Sequence, residues 1–248
     1  MQKQRLAQAV LALSTFALLG GAQAAPEQAA ATQSQYQSAI SSPARTDEDR
    51  QSDAKRKPAE FLAFAQVRPG MKVLDLAAGA GITSALLAAA VGPDGEVWAQ
   101  STKPSPKIDA RLASGKVPNL HALVAPIDDP VAKGMPKLDL VTINMSYHDI
   151  VNTPADRAAM NKHLYEALKP GGHLVVIDNA ARNGSGLADT KTLHRIDEAA
   201  VIDEVTRAGF AVEAKSDYLR APSDPRKQPF WEMKGAPDDK FAIRFVKK

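Results

Sequence analysis

The segment from Lys72 to Val91 constrains the fold of this chain more than any other. It reads KVLDL, then the small residues AAGAG, and then ITSALLAAAV. The first part has the apolar character of a buried strand, and the last part is an uncharged run long enough for a buried helix. A strand that passes through a glycine turn into a helix is typical of a parallel sheet with helices on both faces.

The same alternation continues along the chain. Apolar segments predict strands over residues 72–76, 96–100, 120–125, 138–144 and 173–178. The segments between them predict helices over residues 82–91, 106–114 and 154–168, the last with Thr153 as its cap. A helix over 197–208 precedes two strand-like segments, 210–220 and 241–248, which no helix separates and which therefore indicate an antiparallel pair. The predicted fold is α/β: a doubly wound, mostly parallel seven-stranded sheet with an antiparallel C-terminal strand pair.

The first 24 residues predict an export signal. They combine a cationic start, an apolar run over 7–19 that is too short to span a bilayer core of ~30 Å, and small residues before Ala25. The expected mature protein is periplasmic or secreted. We expect cleavage between Ala24 and Ala25 and no stable membrane insertion after the signal is removed.

Beyond the leader, the sequence predicts a lead-in and one domain. Residues 25–44, rich in Ala, Gln and Ser, predict a flexible lead-in, and residues 45–248 predict the folded domain, which opens with one amphipathic helix. Without Lys3 and Arg5 of the leader, the 31 basic residues become 29, against 28 acidic ones. No concentrated basic surface for nucleic acid follows from this balance, and the KRK stretch at 55–57 predicts a solvated helix face. The expected partner is a small-molecule substrate, and the oligomeric state stays open.

The glycine turn predicts a ligand site. Gly79 and Gly81 let the backbone approach a ligand closely, and the next helix offers unpaired N–H groups at its beginning. A dinucleotide site calls for a third small glycine-like residue at position 84 and an acid about 20 residues further on. The chain has Ser84 and Gln100 there. Asp75 at the strand end, followed by small residues, fits S-adenosylmethionine better, and a turn that only packs against the sheet is the remaining alternative.

Three motifs occur in order: VLDLAAGAG, DLVTINMSYHD and LKPGGHLVVID. Together with HRID at 194–197, they resemble the successive motifs of class I S-adenosylmethionine-dependent methyltransferases, in particular a family of exported bacterial methyltransferases. The resemblance covers Arg45 to Lys248 and implies a Rossmann-like methyltransferase fold with S-adenosyl-L-methionine as cofactor.

The resemblance also implies which residues hold the cofactor. They are Asp75, Ala77, Gly79 and Gly81 around its methionine end, Gln100 at its ribose hydroxyls and Asp128 at its adenine amino group. Two of them depart from the family pattern, since Ala77 replaces a glycine and Gln100 replaces an acid. Both departures bear on cofactor affinity more than on the fold.

In this architecture the end of the fourth strand faces the transferred methyl group. Asn144 and Tyr147 match part of the D/N-P-P-Y motif of amide-modifying relatives, but both prolines are missing. Tyr147, His148 and Asp149 offer an aromatic wall, a group that titrates near neutral pH and a carboxylate that could orient it. We expect His148 to be a base or a substrate contact, with His194 in the same cleft. The alternative is that Asp149 caps a helix while Tyr147 and His148 lie in the core.

Whether a metal takes part is left open by the sequence. Asp178 and Asn179 resemble the metal-binding pair of cation-dependent O-methyltransferases, but Asn144 stands where those enzymes need an acid. A site with His148, His194 and a nearby carboxylate is chemically possible for zinc or iron. The predicted function is methyl transfer from S-adenosylmethionine to an unidentified small molecule. The alternatives are an exported, non-catalytic binding protein with the same fold and, disfavoured by Ser84 and Gln100, a nicotinamide-dependent oxidoreductase.

Overall fold

A computed structural model of the protein describes residues 24–248, with side chains from residue 32 onward. The longer helices are α1 (Ala24–Ile40), α5 (Ile82–Val91), α6 (Pro106–Ala113), α8 (Arg157–Ala167) and α10 (Glu198–Arg207). The shorter ones are α2 (Asp47–Gln51), α3 (Asp53–Arg56), α4 (Pro58–Phe64), α7 (Tyr147–Val151) and α9 (Thr190–Leu193). The strands are β1 (Lys72–Leu76), β2 (Glu96–Ser101), β3 (Leu120–Val124), β4 (Leu138–Asn144), β5 (Leu168–Asn179), β6 (Ala211–Ser216) and β7 (Lys240–Val246).

The strands form one sheet in the order β3-β2-β1-β4-β5-β7-β6. The pairs from β3 to β5 are parallel, and β7 is antiparallel to both β5 and β6. The predicted fold class is therefore confirmed. Because the strand order reverses between β1 and β4, a crevice opens beyond the carboxyl ends of these two strands, where ligands bind in sheets of this kind.

Alternating strand residues divide the core into two layers. On one face, Val73 of β1 packs with Leu87 of α5 and Phe61 of α4. On the other face, Leu74 packs with Leu164 of α8 and with residues of α10. Because both faces of the central strands are covered, they form continuous apolar runs in the sequence, which is the reason why they were predictable.

The first part of the domain differs from the sequence prediction. Residues 24–40 form α1 rather than a flexible lead-in, and the buried Tyr36 donates a hydrogen bond of 3.0 Å from its hydroxyl to the carbonyl of Val67. Tyr36 and Ala39, three positions apart, supply the buried face, which is too short to be visible as a period in the sequence. The single helix predicted after Arg45 is instead α2, α3 and α4, because the residue before Pro58 cannot continue a helix.

One helix cap differs from the sequence prediction. Thr153 does not cap α8, which begins three residues later than predicted. Asp156 does so, since its carboxylate accepts from the backbone N–H groups of Ala158 and Ala159 at 2.9 and 3.1 Å. Asp197 caps α10 by accepting from the N–H of Ala199 at 3.1 Å.

The predicted export signal lies outside the described residues except for Ala24, and its function stays a prediction. Among the helices from residue 24 onward, none has the length and apolar character needed to cross a membrane.

Candidate active site

The glycine turn after β1 is open to a ligand. Ala77, Gly79 and Gly81 have φ angles of 52°, 58° and 72°. Gly79 is exposed, and a Cβ atom at this position would meet nothing within 4 Å. The backbone of the turn can therefore be approached closely by a bound molecule at Gly79.

The alanine in this turn is strained. Ala77 adopts the left-handed conformation that glycine tolerates and that costs other residues about 1–2 kcal/mol. We expect Ala77→Gly to raise the free energy of unfolding by about 0.5–1 kcal/mol, since part of the relieved strain is offset by the greater freedom of glycine in the unfolded chain. Chemical denaturation measures this difference. Ala78→Gly is the matched control, because Ala78 has no positive φ and its replacement is expected to lower stability. Equal effects of the two changes would contradict the strain argument.

Gln100, at the end of β2, supports the turn from below. Its side-chain carbonyl accepts from the N–H of Ala77 at 2.9 Å, and its side-chain amide donates to the carbonyl of Ala125 at 2.7 Å. The side chain is fully buried, and both of its polar ends are engaged. Its role as a ribose contact stays a prediction, whereas its contact with the turn is visible in the structure.

Asp75 also lies beneath the turn and is buried. Its carboxylate accepts from the hydroxyls of Ser84 at 2.5 Å and Thr142 at 2.8 Å, which joins β1 to α5 and β4. Burial raises the pKa of Asp75 to about 6, although the two hydroxyl hydrogen bonds act in the opposite direction. Asp75 therefore supports the turn from the protein interior.

This raised pKa predicts a pH-dependent stability. The native pKa of about 6 exceeds the usual value of 3.8, so between these values the folded state binds more protons than the unfolded state. Stability from this group is full below pH 3.8 and falls by about 3 kcal/mol as the pH rises through 6. We expect the stability of Asp75→Asn relative to the unmodified protein to increase by this amount between pH 4 and 7, measured by urea denaturation. A difference that does not vary with pH, or equals that of the exposed control Asp94→Asn, would refute this expectation.

Arg111 of α6 covers the end of the turn. It donates through Nε to the carbonyl of Ala80 at 2.7 Å and through its two terminal nitrogens to the carboxylate of Asp49 at 2.8 and 2.6 Å. Asp49 belongs to α2 and is fully buried. Burial by itself would raise the pKa of Asp49, but the hydrogen bonds from Arg111 and Thr46, together with the charges of Arg111 and Arg45, lower it. The guanidinium thus holds the segment before β1 against the glycine turn, and Gly81 lies directly beneath it.

The end of β4 lies against the same turn. The Asn144 side chain donates to the hydroxyl of Thr83 at 3.3 Å, and the Ser146 hydroxyl donates to the carbonyl of Ala77 at 3.3 Å. The two strand ends that the sequence assigned to cofactor and acceptor therefore meet.

A cavity of about 530 Å³ opens beside the ends of β4 and β5. It is called the main cavity below because it holds most of the candidate catalytic residues. Its lining residues come from α3, from α7 and from the loop between β6 and β7. Four of the five residues that the sequence assigned to catalysis line it, namely Asn144, His148, Asp149 and His194.

His148 is buried between two carboxylates. Its Nδ1 lies 2.6 Å from Asp178 Oδ1, its backbone N–H donates to Asp178 Oδ2 at 2.8 Å, and its Nε2 lies 3.3 Å from Asp149 Oδ1. Burial opposes the charged form, but the hydrogen bonds to Asp149 and Asp178 prevail and raise the pKa of His148 to about 9. A protonated imidazole donates hydrogen bonds and cannot accept a proton. At neutral pH this geometry favours a contact role for His148 over that of a general base.

His194 approaches the same carboxylate from the other side. Its Nδ1 lies 3.1 Å from Asp149 Oδ1, and its ring is nearly perpendicular to that of His148 at 5.3 Å. The residue has a left-handed backbone with φ of 50° at the end of α9. Trp231 packs edge-on against it at 5.0 Å.

Tyr147 does not form the aromatic wall of this cavity. Its ring is fully buried on the other side of the sheet, where its hydroxyl donates to Glu204 and accepts from Asn161, both at 2.9 Å. The prediction was wrong because a helix starts at this residue and points its side chain into the core. The aromatic residues of the cavity are Tyr218, Phe230 and Trp231, of which the last two are 47% and 54% exposed. Two adjacent aromatic residues in a polar, proline-rich loop were the signal for Phe230 and Trp231.

The loop that carries Trp231 is fastened by Arg195. This fully buried guanidinium pairs with Asp224 at 2.8 Å and donates to the carbonyls of Ala180 at 3.0 Å and Gln228 at 2.9 Å. Arg195 thus joins the end of β5 to the loop that covers the cavity.

Two cations of the cavity form no direct ion pair with the described residues, although the carboxylates of Asp75, Asp49 and Asp53 act on Arg56 from a distance. Lys55 and the half-buried Arg56 line it, and in the described part of the chain no carboxylate lies within ion-pair distance of either. Lys240, by contrast, pairs with Asp238 at 2.6 Å. The KRK stretch was predicted to be a solvated helix face, and this prediction was wrong for Arg56, since sequence spacing does not reveal which side of a short helix faces a cavity.

A second cavity of about 460 Å³ lies beyond the ends of β2 and β3. Asp128, Thr102 and Pro154 are among the residues that line it. The predicted contact of Asp128 with adenine stays a prediction, but its location beyond β3 is compatible with it. The open turn at Gly79 and the nearby strand ends fit an elongated cofactor that lies across the carboxyl edge of the sheet.

Comparison with known proteins places this geometry in a family context. The family model of protein-L-isoaspartate(D-aspartate) O-methyltransferase (PCMT) matches residues 29–210. The ubiquinone/menaquinone biosynthesis C-methyltransferase UbiE of Cupriavidus metallidurans is 32% identical over 121 residues, which are 47% of this chain and 46% of that protein. The corresponding protein of Burkholderia ambifaria is 35% identical over 121 residues, with the same coverage. The chain thus spans about half the length of these relatives.

Solved structures agree with the observed architecture. A SAM-dependent methyltransferase from Aquifex aeolicus superposes with a TM-score of 0.59 at 17% identity, over 79% of this chain and 93% of that one. Fibrillarin from Aeropyrum pernix, in complex with S-adenosyl-L-methionine, gives a TM-score of 0.51 at 15% identity, over 75% and 74%. At these identities the comparison shows a shared fold.

Proposed function

Because the chain belongs to the protein-L-isoaspartate(D-aspartate) O-methyltransferase family, within the class I S-adenosylmethionine-dependent methyltransferases, we propose that it methylates a carboxylate oxygen of a small anionic acceptor. The predicted cofactor, S-adenosylmethionine, is confirmed at the level of the family. The alternative of a non-catalytic binding protein is not supported by these matches.

The cofactor supplies an electrophilic methyl group on a sulfonium. The chain contributes the open turn at Gly79, the cavity beside Asp128 and the end of β4 at Asn144. Because the leaving group is already good, alignment of the acceptor accounts for most of what the protein must do.

The observation that carries the proposal is a pair of cations that form no direct ion pair with the described residues. The carboxylates of Asp75, Asp49 and Asp53 act on Arg56 only from a distance, so the half-buried guanidinium leaves room for a directly bound anion. Arg56 lines both the main cavity and a small gap beside Thr83 at the beginning of α5, whereas Lys55 lines the main cavity alone. We assign Arg56 to the carboxylate end of the cofactor and Lys55 to the carboxylate of the acceptor.

A carboxylate acceptor also agrees with the state of His148. An ionised carboxylate is already a nucleophile and needs no base, whereas an alcohol or an amine cation must lose a proton. His148, whose ring nitrogens lie beside Asp178 and Asp149, is then not required as a base. The buried Tyr218 hydroxyl has no hydrogen-bond partner among the described residues and is available to donate to a ligand.

The test is methyl transfer from labelled S-adenosylmethionine to a panel of small carboxylic acids, which includes an isoaspartyl peptide. A methyl ester releases methanol in alkali, and this release is the expected result. Lys55→Gln is expected to raise the KM of the acceptor about 10-fold and leave cofactor affinity unchanged, whereas Arg56→Gln weakens cofactor binding. Lys107→Gln, on the exposed side of α6, is the control. An alkali-stable product, or equal effects of Lys55→Gln and Lys107→Gln, would exclude a carboxylate acceptor at Lys55.

We also propose that this reaction takes place outside the cytoplasm. The proposal rests on the predicted leader, and cleavage between Ala24 and Ala25 would leave α1 intact except for its first residue. Cell fractionation with mass spectrometry of the N-terminus tests it, and a cytoplasmic chain that retains residue 1 would refute it.

A further inference from the structure

Three side chains with metal-binding atoms converge in the main cavity. Asp149 Oδ1 lies 3.3 Å from His148 Nε2 and 3.1 Å from His194 Nδ1, and all three ligand atoms lie within 4.8 Å of one another. His148 and Asp149 are neighbours on α7, and His194 follows α9. The cluster therefore comes from two separate segments that the fold brings together.

The spacing of these atoms matches a small coordination sphere. Ligand atoms at about 2.0–2.2 Å from a zinc ion in tetrahedral geometry are roughly 3.3 Å apart. Both distances from Asp149 Oδ1 are close to this value. Two imidazoles and one carboxylate form the donor set that suits zinc and iron among the divalent ions.

The surroundings of His148 have the form found around metal-binding histidines. Asp178 accepts from Nδ1 at 2.6 Å, and its carboxylate is itself held by the backbone N–H groups of His148 and Asn179, both at 2.8 Å. A carboxylate at one ring nitrogen fixes the orientation of the ring and makes the other nitrogen a better ligand. The nitrogen that remains, Nε2, is the one that faces Asp149, and it loses its proton when it binds a metal ion.

A separate observation points to a ligand at this place. Asn179 is 1% exposed and lines the same cavity, and its Oδ1 has no hydrogen-bond partner among the described residues. Its side-chain amide donates to the carbonyl of His194 at 3.1 Å, which fixes the side chain. A bound cation, a water molecule or a donor group of a ligand would satisfy this buried oxygen acceptor.

We propose that His148, Asp149 and His194 form a binding site for a divalent transition-metal ion such as Zn²⁺ or Fe²⁺. Asp178 acts as a positioning residue that orients His148. Three protein ligands leave at least one coordination position open, as in catalytic rather than structural metal sites. This site differs from the Asp178–Asn179 metal pair that was considered from the sequence. Asp178 is not a ligand here, because both of its carboxylate oxygens already take part in hydrogen bonds with His148.

The test is titration of the chelator-treated protein with Co²⁺, followed by visible absorption, and then displacement by Zn²⁺. We expect one ion per chain, with an affinity that falls at least 100-fold in His194→Ala and Asp149→Asn. Asp178→Asn is expected to lower the affinity 10- to 100-fold. His163→Ala is the matched control, since it removes a histidine that lies 3.6 Å from an aspartate outside the cavity, and it is expected to change nothing.

His194 and Asp149 are partly exposed, so both variants should keep the fold, and circular dichroism without metal checks this. Unchanged Co²⁺ binding in both variants, or no binding by the unmodified protein at micromolar metal, would overturn the proposal. Metal binding is measured by absorption and does not depend on methyl transfer. Its failure is therefore distinguishable from a failure of the proposed carboxylate methylation.

Discussion

Replacement of Arg195 by methionine is expected to lower the free energy of unfolding by about 3–5 kcal/mol. The guanidinium and its partner Asp224 are both fully buried, and removal of the cation leaves an uncompensated carboxylate in the interior. Methionine keeps the length of the side chain, so lost packing contributes little. Chemical denaturation of the full chain measures the change. The same variant is expected to weaken the contact of Trp231 with His194, because the loop between β6 and β7 loses its attachment to the end of β5.

The matched control for Arg195 is Arg207→Met. Arg207 forms an ion pair with Asp203 on the surface of α10, and the two side chains are 72% and 56% exposed. Exposed pairs of this kind contribute about 0–1 kcal/mol. If Arg195→Met costs no more than Arg207→Met, the loop does not depend on the buried pair.

Arg111→Met is expected to have two effects at once. It leaves the fully buried Asp49 without its cation, which costs about 3–5 kcal/mol, and it removes the donor to the carbonyl of Ala80 in the glycine turn. Hydrogen exchange is expected to increase in α2 and around Gly79, while β5 and β7 keep their protection, because Arg111 bonds to Ala80 and Asp49 and to no residue of these two strands. Calorimetric titration should show weaker binding of S-adenosylmethionine.

Arg50→Met is the control for this second change. Arg50 lies on α2 as well, but its side chain is 43% exposed and pairs with the exposed Asp47. It should leave exchange in the turn and cofactor affinity unchanged. Equal cofactor affinity in Arg111→Met and Arg50→Met would show that the turn keeps its conformation without the guanidinium.

Most strands of the sheet could be predicted because each is encoded by a short continuous segment of the sequence. Strands β1 and β4 and helix α5 have the predicted bounds, since each is a continuous apolar run between turn residues. Helix α1 could not be predicted in this way. Its stability depends on Tyr36 meeting the carbonyl of Val67, a contact between distant positions that leaves no period in the sequence.

In the candidate site, too, residues encoded by local segments could be predicted, whereas contacts between distant segments could not. His148, Asp149 and Asn144 could be located because they follow a recognisable strand and fall at the edge where ligands bind. The pairing of His148 with Asp178, thirty positions away, and the approach of Trp231 to His194 depend on how separate loops fold over the strand ends. Tyr147 was assigned to the wrong side of the sheet because one position along a helix changes the direction of a side chain by about 100°.

Strand β7 lies between β5 and β6, although it follows both of them along the chain. Among the described strands, β6 reaches the sheet only through β7, and β5 keeps an open edge until β7 is in place. A nascent chain therefore cannot complete this sheet in the order of its synthesis, because the link between β5 and β6 forms only after residues 240–246 have left the ribosome.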